Sequence, residues 1–162
     1  MTCTEQAESI LENLTGSYHR LILIVGKPGT GKTELIRNLG SKLHWPQINI
    51  NLSLSEALMP YPRQKRPVVV SGLFYTFFET DSPGYLIDNT ELLFDNSLKI
   101  NPIYLLKNAS RNRTIVCSLN GQMNGNDFIY AEANHPEYFR ETLNDINIID
   151  LNTSERNPNE IQ

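Results

Sequence analysis

Two kinds of hydrophobic patterning alternate along this chain, and their order predicts its architecture. Between Glu5 and Leu14, the residues Ala7, Ile10, Leu11 and Leu14 recur at helical spacing among charged and amide residues, which predicts a short amphipathic helix ending near Gly16. The next block, Arg20-Leu-Ile-Leu-Ile-Val25, is too short for an independent helix and is closed by Gly26, so it reads as a strand covered on both faces. After a glycine-rich turn the helical period returns at Leu35, Ile36, Leu39 and Leu43, giving a helix from Lys32 to Lys42. Trp45 to Leu52 alternates apolar and amide residues and predicts a second strand, after which Ser53 or Ser55 caps a brief helical turn through Met59.

Pro60, Pro62 and Pro67 surround Arg63, Lys65 and Arg66 and predict a stiff, basic loop. Val68 to Glu79 carries both signals: three valines favour a strand, but Leu73, Phe74, Phe77 and Phe78 have helical spacing, and length together with the need for a crossover decides for helix. Tyr85 to Ile87 predicts a strand ending at Asp88. Pro102 to Ser110 predicts a helix with proline at its first position, and Arg113 to Leu119 a further strand. Asn120 to Asp127 reads as a Gly/Asn-rich loop, Pro136 to Asn144 as a helix, and Ile146 to Leu151 as the last strand. Strands alternating with helices predict an α/β three-layer sandwich with a central, mainly parallel, five-stranded sheet. Residues 1–17 form an N-terminal helix in this division, 18–151 the main domain, and 152–162 a flexible polar tail.

Composition changes this picture little. A chain of 162 residues with 40% apolar and 20% charged residues is sized for one self-sufficient core, and its two cysteines, Cys3 and Cys117, are distant in sequence, as in a reducing cytoplasm. The longest aliphatic stretch is far below a membrane span, and the acidic first twenty residues lack the pattern of a signal peptide, so neither membrane insertion nor secretion is expected. A net charge of −4 disfavours a generally nucleic-acid-coating surface but leaves room for a local basic patch.

The chemistry concentrates at Gly26-Lys27-Pro28-Gly29-Thr30-Gly31-Lys32-Thr33, which fits G-x-x-x-x-G-K-[ST] and lies between a predicted strand and a predicted helix. Small residues let backbone N–H groups wrap a diphosphate at the helix N-terminus; Lys32 reaches the outer phosphates, Thr33 supplies a Mg²⁺ ligand, and Glu34 completes the binding stretch. Asp88, at the end of an apolar strand, suits a Mg²⁺ site beside such a loop, although a strand-ending Asp also serves as a plain cap. Many nucleotide hydrolases of this layout place a Glu directly after that Asp, where this chain has Asn89. Glu91 is then the candidate water-activating base, or a solvated acid in the first turn of a helix. Asn120 stands where it can orient water near the outer phosphate, and an ordinary Asn-Gly turn accounts for it equally. Arg111 and Arg113 before their strand, and Arg140 at the end of a predicted helix, are candidates for an arginine supplied to a neighbouring subunit, with dipole stabilisation as the plainer alternative. The histidines show no metal spacing, and the aromatics around Phe74 read as core.

Taken together, the phosphate loop with Ile48-Asn-Ile-Asn-Leu-Ser53, Leu86-Ile-Asp-Asn-Thr-Glu-Leu-Leu-Phe94, Ser110-Arg-Asn-Arg-Thr-Ile-Val116 and Tyr130-Ala-Glu-Ala-Asn-His-Pro-Glu-Tyr138 resembles the BrxF family, small P-loop proteins of BREX bacteriophage-exclusion systems. The resemblance runs from about residue 18 to 150 and implies an AAA-like nucleotide-binding core acting with other BREX proteins in phage defence. It places the family's phosphate-loop role on Gly26, Gly29, Gly31, Lys32 and Thr33, and its metal-site acid on Asp88, with Asn89 as the family's own form. Against the broader AAA-like group, the expected departures are the missing Glu and the missing C-terminal helical lid, both of which point away from robust self-contained hydrolysis. The expected function is therefore an ATP- and Mg²⁺-binding protein with weak or partner-dependent ATPase activity, forming nucleotide-dependent homo-oligomers. A non-hydrolysing nucleotide-sensing module is the alternative, and a small-molecule kinase a more distant one.

Overall fold

The run Leu21–Gly26 forms β1, with every residue buried. In the computed structural model, which describes residues 1–14 and 16–152, β1 lies between two parallel neighbours, β4 (Thr114–Asn120) and β8 (Asn147–Asp150). β4 pairs in turn with β3 (Gly84–Asp88), and β3 with the short β2 (Gln47–Asn49), so the five-stranded sheet has the order β2-β3-β4-β1-β8 and is parallel throughout. Alternation along β1 divides the core: Leu21, Leu23 and Val25 face one layer, Ile22 and Ile24 the other. The second layer holds α1 (Cys3–Glu12) and α2 (Lys32–Leu43); the first holds α3 (Ile50–Leu58), α4 (Arg66–Thr76) and α5 (Pro102–Ala109). A sheet covered on both faces requires strands that are apolar on both sides, which is why β1 shows no polar alternation. Neither cysteine is in a disulfide, and burial pushes the Cys117 thiol well above its usual range.

Helix α1 begins in a capping box, with Thr2 and Glu5 bonding each other's backbone N–H groups. The second strand is shorter than expected and does not reach Leu52. The Asn49 side chain accepts from Leu52 N at 3.1 Å, so the helix is capped there rather than at Ser53 or Ser55. The proline-rich segment is also not wholly loop: Arg63–Lys65 is a 3₁₀ turn, and Pro67 sits in the first turn of α4, where a missing N–H breaks no helical bond. The valines of Val68–Val70 are helical, with Val70 and Phe74 facing the core. Phe74 is fully buried, edge-on to Phe78 at 5.1 Å between centroids. Phe74→Ala should destabilise the fold by about 3–5 kcal/mol, measured by urea denaturation; a change below about 1 kcal/mol would contradict this packing.

The largest departure lies between β4 and β8. The expected loop Asn120–Asp127 and the expected helix Pro136–Asn144 are instead parts of an antiparallel sheet: β5 (Gln122–Asn124), β6 (Asp127–Tyr130) and β7 (Phe139–Thr142). A two-residue turn at Gly125-Asn126 joins β5 to β6. Phe139 in β7 meets Phe94 at 5.5 Å and Phe128 at 6.4 Å between centroids, and this aromatic contact seats the small sheet on the α3–α5 side of the core. The expected tail from Asn152 lies outside the described residues, except for Asn152 itself.

Candidate functional site

The C-terminal ends of β1, β3 and β4 bring the singled-out residues together. Between β1 and α2, Gly29 and Gly31 have φ of +85° and +98°, a backbone region that side chains resist, so the loop needs glycine at these two positions to turn back over the helix end. Gly31 caps α2 without a side chain, which leaves the first N–H groups of a 12-residue helix facing the loop as ready partners for an anion.

Lys32 is 8% exposed, and its ammonium donates to the carbonyl of Lys27 at 2.9 Å across the loop. Burial pulls its proton affinity below the ordinary lysine value, while the carboxylates of Asp88 and Glu91 push it back up. Thr33 Oγ1 donates to Asp88 Oδ2 at 2.8 Å, and the Ser118 hydroxyl donates to the other Asp88 oxygen. Thr33 and Asp88 thus stand side by side as hard oxygen donors, the type that Mg²⁺ prefers, and they are the residues that would hold it. Among the described residues no three His, Cys, Asp or Glu side chains gather as a dedicated metal cage.

Next to Asp88, Asn89 has φ of +54°, a conformation that Asn tolerates better than Glu. The residue after the strand is therefore turned out and exposed, and its carbonyl accepts from Asn51 N at 2.8 Å. Glu91 faces inward instead. Asn51 Nδ2 donates to one of its oxygens at 2.5 Å and Asn120 Nδ2 to the other, also at 2.5 Å. Asn51 Oδ1 in turn accepts from Leu92 N at 2.8 Å, so one asparagine grips the segment after β3 at three points. Geometry thus joins Lys32, Thr33, Asp88, Glu91 and Asn120.

Two further residues at the site escaped sequence reasoning. Asn51 lay inside a strand expected to run on to Leu52, and only its position two residues after a strand end marks it. Asn152 fell in the expected tail, yet its Oδ1 accepts from Lys27 N at 2.9 Å and its Nδ2 donates to Gly121 O at 2.9 Å, tying the phosphate loop to the end of β4.

The arginines do not join this group. Arg111 lies over the Tyr18 ring at 4.8 Å, and Arg113 donates to Ala109 O at 3.1 Å and lies 5.8 Å from the Phe78 centroid. Both precede β4, whose seven residues put them about 20 Å from its Asn120 end. Arg140 ends no helix: it is in β7, paired with Asp127 at 2.8 Å.

No helix of the described residues is long and apolar enough to cross a membrane. No family model and no curated sequence matches this chain. Among solved structures it is similar to a chain of Drosophila ORC bound to DNA, at 20% identity and a TM-score of 0.48 over 92% of this chain and 42% of that one. It is also similar to C. elegans PCH-2, at 22% identity and a TM-score of 0.40 over 75% of this chain and 38% of that one. The chain spans less than half the length of either. Its own topology, a parallel sheet of order β2-β3-β4-β1-β8 with a glycine-rich phosphate loop between β1 and α2, is a P-loop NTPase fold.

Proposed function

We propose that this chain binds ATP with Mg²⁺ in the loop Gly26 to Glu34 and hydrolyses it weakly, with full turnover depending on association with other subunits. The carrying observation is the joint placement of Lys32, the Thr33–Asp88 pair and the Glu91 carboxylate held between Asn51 and Asn120. Lys32 and the loop amides hold the phosphates, Thr33 and Asp88 hold Mg²⁺, and that ion supplies charge neutralisation on the phosphates when bound. Glu91, fixed by two amides, accepts a proton from water, and Asn120 both orients the base and faces the outer phosphate. The resemblance to the BrxF family extends this to a role as a switch or assembly component beside other BREX proteins in the bacterial cytoplasm.

The test is steady-state phosphate release at micromolar protein, with Lys32→Ala as the control for contaminating activity. Slow release that the control lacks supports the reading, and equal release from both contradicts it. Loss of phage restriction by the same variant, in a host carrying a complete BREX system, tests the wider role. One observation favours a second reading: both Glu91 oxygens already accept from amides, as in a module that senses nucleotide without turning it over. Saturable Mg-ATP binding with no release would select it. Asn152→Ala removes the two bonds that brace the phosphate loop; the Mg-ATP dissociation constant should rise about fivefold, equivalent to about 1 kcal/mol, in a titration calorimeter. An unchanged constant would remove Asn152 from the site.

A further inference from the structure

Beside the phosphate loop is a cleft of about 390 Å³, walled by Lys27 and Pro28 of the loop, Asn120 at the end of β4, and the segment joining β6 to β7. That segment, residues 131–138, turns through Ala131 at φ +64° and is fastened by the Asn96 amide to Pro136 O. It sets Glu132 and Glu137 along the cleft, and His135 presents Nδ1 as an acceptor to Glu137 N at 3.0 Å. The carboxylates of Glu137 and Glu91 both raise the Tyr130 phenol, after burial itself, so their negative field reaches the cleft's inner wall. Lys27, at the lip, is its one lysine or arginine.

The same chain carries an opposite feature with nothing to pair it. At the corner between α3 and α4, Arg63 and Lys65 are exposed, and among the described residues neither makes a side-chain hydrogen bond, ion pair or ring contact. Pro60, Pro62 and Pro67 stiffen the corner, so its cations are presented at low entropic cost. Met59 and Val68 flank it at 76% and 84% exposure, an apolar rim matching the Pro28, Ile129 and Ala131 wall of the cleft. The arginines that the sequence offers to a neighbouring site, Arg111, Arg113 and Arg140, are by contrast already engaged within their own chain.

We propose that the acidic cleft receives the basic corner of a second copy, so that chains associate head to tail and Arg63 of one copy enters the site of the next. A heterologous contact of this kind leaves a free corner at one end and a free cleft at the other, so it builds rings or filaments rather than a closed two-fold dimer. Complementary charge sets the register. The consequence for turnover rests on the nucleotide reading above; the contact itself does not.

The test is sedimentation velocity on the full chain, with and without Mg-ATP, at low and high salt. Two charge-reversed variants are compared, Arg63→Glu with Lys65→Glu, and Glu132→Arg with Glu137→Arg, each checked for an unchanged melting temperature. Wild type should associate and dissociate with salt, each variant alone should be monomeric, and an equimolar mixture should form dimers and nothing larger. That pattern arises because the mixture retains one intact corner and one intact cleft per pair. A wild type that stays monomeric in every condition overturns the proposal, as does association that both variants retain or a mixture that stays monomeric. A monomeric wild type that binds duplex DNA, with binding lost on Arg63→Glu and Lys65→Glu, would assign the corner to nucleic acid and overturn it too. Mg-ATP titration of the same variants separates the two readings: swap-dependent association without nucleotide binding upholds the interface and removes the nucleotide reading, and the converse does the opposite.

Discussion

Lys32→Ala should weaken Mg-ATP binding about a hundredfold, equivalent to about 3 kcal/mol, without unfolding the protein. The side chain is almost fully buried, and its ammonium bridges the loop to Lys27 O. Truncation removes the cation aimed at the phosphates and also the positive charge that stands near Asp88 and Glu91. With that charge gone, the two carboxylates repel an incoming polyanion more strongly, so the loss should exceed that of one ordinary hydrogen bond. The fold should survive, because Asp88 keeps its bonds to Thr33 and Ser118 and Glu91 keeps its two amides. Calorimetric titration reads the affinity and circular dichroism the melting temperature. An affinity within threefold of wild type would contradict the role assigned to Lys32.

Glu91→Gln should act on the other half of the chemistry, lowering phosphate release by about 10²–10⁴-fold while leaving Mg-ATP affinity close to wild type. The substitution retains shape but removes proton-accepting capacity. Asn51 is fixed in orientation, since its Oδ1 accepts from Leu92 N, so its Nδ2 continues to donate to the new amide oxygen. Asn120 can turn its own amide over to accept from the glutamine. The segment should thus stay in place, and the effect should fall on turnover rather than binding. If release is unchanged, Glu91 is not the base. If affinity falls together with release, its role is structural.

Several parts of this site were readable in the sequence because they depend on local chemistry. A strand apolar on both sides, followed by glycines where positive φ is needed and by a helix-period run, states the β1–loop–α2 unit within some twenty residues. Asp88 could be found because it ends an apolar strand. What could not be read depended on contacts far apart in the chain. Asn51 and Glu91 are forty residues apart, and Asn152 meets Lys27 across 125 positions, so no spacing announces either pair. Asn49 and Ser53 are equally good caps by residue type, and only the tertiary position of β2 selects Asn49. The missed antiparallel sheet has a different cause. Its strands are three or four residues long, too short for a period of two to be told from helical spacing. What fixes Phe139 in a strand is its packing on Phe94 and Phe128, not its neighbours in sequence.

A crystal structure with Mg²⁺ and a non-hydrolysable ATP analogue bears most directly on the central claim. The phosphates should lie against the backbone N–H groups between Gly29 and Thr33, with the Lys32 ammonium turned from the Lys27 carbonyl, now 2.9 Å away, onto the outer phosphates. Nucleotide bound elsewhere on the chain, or in the loop with the Lys32–Lys27 bond intact, would contradict it.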